Sequence, residues 1–126
     1  MFKQGIAADG NLEVRVVKDG KLVTDTPPDF EIIAPGVEGY VLGRSDSSSS
    51  YEPDIDLFKH SAQELGVSRR HAALVRHRGL VNIIDLDSVN GTFMNGKRLS
   101  PYLPYAFNPG DRLSLANLEI VIVQSD

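Results

Sequence analysis

The chain has 126 residues, with 13 Lys and Arg against 17 Asp and Glu, so it carries −4 at pH 7, and 41% of it is hydrophobic. A chain of this length holds one domain and buries roughly two thirds of its extended surface, so its core needs no staples. The absence of Cys excludes a disulfide scaffold, a thiolate metal site and a cysteine nucleophile, and it suits a reducing compartment.

Met1 to Asn11 lacks the apolar stretch of a signal peptide, and no apolar run approaches the ~18 residues of a membrane span. A soluble, cytoplasmic protein is therefore expected, with no membrane partner. Charge is unevenly spread. Ser68 to Arg78 holds Arg69, Arg70, Arg76 and Arg78 and no acid, leaving nine basic against 17 acidic residues, −8, elsewhere. A cationic island in an acidic chain points to a discrete anionic ligand; a duplex-binding protein carries a domain-wide basic stripe, so no nucleic-acid partner is expected.

Period-two alternation dominates. Leu12, Val14 and Val16 alternate with Glu13 and Arg15, and Asp19-Gly20 followed by Lys21 to Asp25 predicts a hairpin. Further strands are predicted at Phe30 to Ala34, Gly39 to Leu42, Ile55 to Leu57, Ala72 to Arg78, Leu80 to Leu86, Thr92 to Met94, Arg98 to Leu99, Arg112 to Leu115 and Leu118 to Val123. Turn signals separate them at Pro27-Pro28, Pro35-Gly36, Asn90-Gly91, Asn95-Gly96 and Pro109-Gly110-Asp111. The fold class is all-β: a β-sandwich of two sheets, about ten to twelve short antiparallel or mixed strands, with little helix. Only His60 to Leu65, closed by Gly66, predicts a helical turn or two, and Ser45 to Tyr51 is a polar low-complexity loop.

Several motifs are weak one at a time. Gly43-Arg44 ends a strand, Ser68-Arg69-Arg70-His71 precedes another, and Asn90-Gly91-Thr92 and Asn95-Gly96 flank a third. In this order, with these strands between them, they resemble the forkhead-associated (FHA) domain, a phosphothreonine-peptide-binding β-sandwich. The resemblance runs from about Tyr40 to Val123 and takes in Asp54-Ile55-Asp56-Leu57 and the Gly110-Asp111 turn. It divides the chain into an N-terminal extension, 1–38, with a hairpin packed on or completing the sandwich, and an FHA domain, 39–126.

The chemistry of the residues fits that resemblance. A phosphate monoester presents nearly two negative charges and three acceptor oxygens, which call for a guanidinium fork, a hydroxyl and N–H donors. The resemblance gives the phosphate to Arg44, Ser68 and Arg69, and the ligand backbone to Asn90. Other readings stand beside these: Arg44 pairing with Asp46 or Glu52 at the surface, and Asn90 acting only as a turn residue. Asn95 and Gly96 are best read as a type I′ turn. Gly43, His71, Gly91, Asn95 and Gly96 make up the structural motif, and the family uses this His to pin the binding loops.

Where the family usually has a polar residue before the binding Asn, this chain has Val89, which removes one side-chain contact; Ser88 could replace it only if the loop shifts. The Phe58 to Val67 insertion offers Lys59, Gln63 and Glu64 as readers of residues beside the phosphothreonine.

No catalytic residues are expected. Ser68 and His71 would make a nucleophile and base only if the imidazole faced outward, and Asp54 and Asp56 read as loop anchors rather than an acid–base pair. His60 and His77 lack metal-ligand spacing with His71, so no metal or cofactor is expected. Gly91 to Lys97 follows the start of a P-loop, but Arg98 stands where Ser or Thr is required. The expected function is recognition of a phosphothreonine protein, a Ser/Thr kinase or its substrate, in signalling. The alternative is a phosphate-independent assembly domain.

Overall fold

A computed structural model describes residues 5–125; residues 1–4, the start of the expected extension, and residue 126 lie outside the described residues. The described residues form eleven strands and one 3-10 turn, Phe58–His60. The strands are β1 (Asn11–Val16), β2 (Phe30–Ile33), β3 (Tyr40–Gly43), β4 (Ile55–Asp56), β5 (Arg70–His77), β6 (Leu80–Asp85), β7 (Thr92–Met94), β8 (Lys97–Arg98), β9 (Tyr105–Ala106), β10 (Leu113–Leu115) and β11 (Leu118–Gln124).

They build two sheets, one in the order β2-β1-β11-β10-β7-β8 and the other β4-β3-β5-β6-β9. All pairs are antiparallel except β3 and β4. A parallel neighbour cannot be reached by a tight turn, and the long Arg44 to Asp54 loop supplies the return.

Alternation decides which faces meet. Leu12 and Val14 of β1, Leu113 and Leu115 of β10, and Leu118, Ile120 and Ile122 of β11 pack against Leu42, Ala72, Leu74, Val81 and Ile83 of the second sheet. Strands β1 and β2 thus belong to the first sheet: β1 runs between β2 and β11 and is paired with β11 from Leu12↔Gln124 to Val16↔Ile120.

The hairpin expected at Leu12 to Asp25 is corrected. Its turn exists, because Lys18 and Lys21 exchange backbone hydrogen bonds of 3.1 and 2.9 Å around Asp19 and Gly20, both at positive φ. Its second strand does not. Lys21 to Asp25 offers only Leu22 and Val23 as apolar residues, with Val23 exposed, and Pro27-Pro28 removes the N–H donors that a longer ladder requires. The partner of β1 is β2, in the register Leu12↔Ile32 and Val14↔Phe30. Arg15 holds the intervening loop by donating to the carbonyls of Val23 at 3.2 Å and Thr26 at 2.8 Å.

The expected helical turn is present as a single turn, with the Leu65 amide donating to the Ser61 carbonyl at 3.0 Å and Gly66 closing it at φ 88°. A 3-10 turn, Phe58–His60, ended by Ser61 at φ 60°, precedes it. Strand β9 has no counterpart among the expected elements.

Leu12→Ala empties a fully buried site shared by both sheets and should cost about 2–5 kcal/mol. Urea unfolding should show that loss as one cooperative transition; an unchanged midpoint would mean that β1 is an appendage.

Candidate functional site

One end of the sandwich gathers the sequence motifs, and a kink in β5 does the gathering. Leu42 pairs with Ala72 but Gly43 pairs with Arg70, so His71 is an extra residue in β5. Such a bulge breaks the alternation and re-aims side chains: His71 is fully buried while Arg70 is exposed. Gly43 is required at the crossing, because a Cβ there would overlap the carbonyl of Arg69. The close approach brings the amide of Arg44 within 3.2 Å of the Arg69 carbonyl oxygen, so the two arginines leave neighbouring strands side by side.

The His71 ring ties two loops together. Its Nδ1 accepts from the Ser68 amide at 3.0 Å and its Nε2 lies 2.8 Å from the Gly91 carbonyl oxygen. This pair of partners assigns the neutral tautomer with the proton on Nε2. Burial pushes the His71 pKa down, against the Gly91 carbonyl and the nearby Asp85, which push it up. With both nitrogens engaged and no exposure, the ring has no free face from which to act as a base.

Arg44 is half-buried. Its Nε donates to the Val67 carbonyl at 2.7 Å and its Nη1 to Asp46 Oδ2 at 3.2 Å. Arg69, more exposed, donates from Nε to the same Asp46 oxygen at 2.9 Å and from Nη2 to Ser48 Oγ at 3.3 Å. Two guanidiniums, one just after β3 and one just before β5, therefore share one carboxylate oxygen. The other oxygen of Asp46 accepts from the Ser48 hydroxyl at 2.7 Å and amide at 2.9 Å. The Ser48 hydroxyl is the main cause that lowers the Asp46 pKa to about 2, with its amide and Arg69 adding to it against partial burial. The sequence offered Asp46 only as a surface partner of Arg44; its second bond, across to Arg69, has no spacing signal.

Ser68 and Asn90 sit beside this pair. Ser68 Oγ accepts a long bond from the Val89 amide, 3.4 Å, leaving its O–H to donate. Asn90 Nδ2 donates to the Gly66 carbonyl at 3.0 Å. Its exposed carboxamide retains a second N–H and an oxygen with no protein partner among the described residues. Gly66, at φ +88°, is also required here, because a Cβ would meet Asn90 Nδ2 at 2.8 Å.

Asp85 shapes the loop that carries Asn90. This buried acid accepts from the Ser88 hydroxyl at 2.6 Å and the Thr92 hydroxyl at 2.7 Å, and Ser88 Oγ accepts in turn from the Gly91 amide at 3.1 Å. Ser88, expected as an accessory contact, is turned inward and committed to this network. Val89 is 82% exposed at the loop tip.

Lys59, Gln63 and Glu64 are exposed on the 58–66 segment, which is anchored where the Leu65 carbonyl accepts from the Asn117 amide at 3.1 Å. Lys59 lines a groove with His60, Leu65 and Asn117. Asn95 and Gly96, at φ 49° and 84°, form the turn between β7 and β8. Asp54 and Asp56 accept from the amides of Val41 and Ser45, at 2.8 and 2.9 Å, and anchor the serine-rich loop. No group of three or more His, Asp or Glu converges among the described residues.

The FHA domain family model matches residues 40–116, more than half of the chain. The chain belongs to the FHA domain family. Among curated relatives, this FHA chain is 37% identical over 95 residues to the nuclear inhibitor of protein phosphatase 1 of Homo sapiens, covering 74% of this chain and 23% of that one. It is 27% identical over 85 residues to an oxoglutarate dehydrogenase inhibitor of Corynebacterium diphtheriae, covering 68% and 55% respectively. The chain thus spans about half of that inhibitor and less of the human protein.

Among solved structures, an FHA domain of an Arabidopsis thaliana hypothetical protein superposes with a TM-score of 0.65 at 21% identity, covering 100% of this chain and 94% of that one. Mycobacterium tuberculosis EmbR, solved in complex with a low-affinity phosphopeptide, gives 0.64 at 23%, covering 92% and 25%.

The buried His71 links loop geometry to pH. Its pKa falls on folding, so below the free imidazole value of 6.5 the unfolded chain binds the proton more readily. Its contribution is present above that value and is lost as pH falls towards the folded pKa. Urea midpoints measured from about pH 7.5 to about pH 5.5 should decline in the native chain and flatten in His71→Asn; equal slopes would show that the ring is accessible to protons.

Proposed function

We propose that this FHA domain is a phosphothreonine-peptide recognition module. A phosphorylated partner lies across the loop end, its phosphate held by Arg44, Ser68 and Arg69 and its backbone by Asn90. The observation that carries this reading is the convergence of the Arg44 and Arg69 guanidiniums on a single anionic oxygen, with Ser68 next to Arg69 in the chain. A dianion with three acceptor oxygens can engage a fork, a second cation and a hydroxyl at once, and charge-assisted bonds of this kind are the strong ones. Arg suits this task better than Lys, because its planar fork meets two phosphate oxygens together.

Family membership supports the reading, as does the phosphopeptide bound to the EmbR relative. The module performs no chemistry after binding: it captures a protein phosphorylated by a Ser/Thr kinase. A preference for phosphothreonine over phosphoserine belongs to the same proposal.

Fluorescence anisotropy with degenerate peptide pools carrying fixed phosphothreonine, phosphoserine or threonine tests the reading. The phosphothreonine pool should bind selectively. Arg44→Ala should weaken it by about 2–4 kcal/mol through loss of a desolvated charge-assisted pair, whereas Lys97→Ala, on the exposed strand β8, should leave it unchanged. Equal effects of the two substitutions, or equal binding of all three pools, would refute the site and favour a phosphate-independent assembly domain.

A further inference from the structure

The loop between β3 and β4 carries a run of serines from Ser47 to Ser50, and Ser47, Ser48 and Ser50 are exposed. Ser48 is the one whose hydroxyl meets the arginine pair. Its Oγ accepts from Arg69 Nη2 at 3.3 Å and donates to Asp46 Oδ1 at 2.7 Å. Ser49 instead turns its Oγ to the Tyr51 amide, 3.1 Å away. We propose that Ser48 is a regulatory phosphorylation site, and that a phosphate placed there closes the Arg44–Arg69 site to the phosphorylated partner. The inference deepens the phosphopeptide reading of this site and rests on it.

The loop gives a kinase access. No strand lies between Gly43 and Ile55, so an exposed serine there can enter a kinase cleft without opening a ladder. The phosphoryl donor is ATP. As the Oγ–P bond of Ser48 forms, the bond from the γ-phosphorus to the β,γ-bridging oxygen breaks, ADP leaves, and the hydroxyl proton passes to the catalytic carboxylate of the kinase. The bond lost from this protein is the donation of the hydroxyl to Asp46, at the surface.

Charge decides the effect. Arg44, Arg69 and Asp46 together leave a single positive charge, with Asp46 ionised at neutral pH because its pKa is about 2. Phosphoserine adds about 1.5 to 2 negative charges at pH 7, which turns the cluster from net positive to net negative. An incoming phosphothreonine dianion then meets repulsion where it met attraction, over distances too short for salt to screen fully. The new phosphate also has a partner at hand. Repelled by Asp46, it is drawn to the Arg69 guanidinium beside it, and its tether holds it there at high effective concentration against a free peptide.

The test uses three chains: unmodified, phosphorylated at Ser48 alone, and phosphorylated at Ser125 alone, with phosphoserine installed during translation. Ser125 follows the far end of β11, beside Asn11, so it adds the same charge away from the site. In fluorescence anisotropy with the degenerate phosphothreonine pool, phosphorylation of Ser48 should weaken binding by at least about tenfold, the worth of one charge-assisted contact. Phosphorylation of Ser125 should change it less than about twofold. The phosphorus resonance of phosphorylated Ser48 should titrate at a lower pH than that of phosphorylated Ser125, because a neighbouring guanidinium favours the dianion.

Unchanged affinity on phosphorylation of Ser48, equal weakening by the two modifications, or equal titration midpoints would each overturn the inference. So would a fall of the thermal midpoint by more than a few degrees on phosphorylation of Ser48, since the loss would then be one of fold. Failure of the unmodified chain to bind the phosphothreonine pool would instead overturn the phosphopeptide reading itself, and the regulation of the site with it.

Discussion

The buried imidazole of His71 is the constraint on which the loop end of this sandwich depends. It reaches the Ser68 amide on one side and the Gly91 carbonyl on the other, and its position inside the protein follows from one extra residue in β5 opposite the Leu42 to Gly43 step. Without the bulge, alternation from Ala72 would send the ring outward and Arg70 inward. With it, the loop bearing Ser68 and Arg69 is pinned to the loop bearing Asn90. The Gly91 carbonyl also accepts from Ala116 at 2.8 Å, so the same oxygen couples both loops to the turn between β10 and β11. Preorganisation of this kind lowers the ordering cost of binding, and it rests on main-chain partners that a rigid sandwich supplies.

On that frame the electrostatics are local. The chain is acidic overall, at −4, yet two guanidiniums are held side by side by the Gly43 crossing. Each has a further anchor: the Val67 carbonyl for Arg44 and the Ser48 hydroxyl for Arg69. Binding energy in such a site comes from a few strong, directional bonds to one anion rather than from a diffuse positive field. Asp46 completes the balance in the free protein. It keeps the arginines oriented while it occupies them.

The sequence made much of this legible. Leu12, Val14 and Val16 alternate and do face the core, and the Asn95-Gly96 pair turns the chain between β7 and β8. The strand order did not follow from local signals. Asp19-Gly20 turns as its composition predicts, but the strand after it is lost and β1 finds its partner at Phe30–Ile33 instead. That choice is made by burial against the opposite sheet, which no short window contains. Strand β9 escaped notice because Tyr105 and Ala106 are only two residues beside Pro104. At the site, the motif residues could be named in advance. The inward turn of Ser88 onto Asp85 and the bond from Asp46 to Arg69 depend on contacts between separate loops.

The most direct test of the central claim is a titration of isotope-labelled protein with a phosphothreonine peptide chosen from the pool, followed by nuclear magnetic resonance. The account predicts that the Nε–Hε signals of Arg44 and Arg69 and the backbone amides of Ser68, Arg69 and Asn90 move together and furthest. The Arg76 to Gly79 turn at the opposite end of β5 should stay still. Shifts centred on that turn, or on the outer edge of β2, with the two guanidinium signals unmoved, would contradict the account.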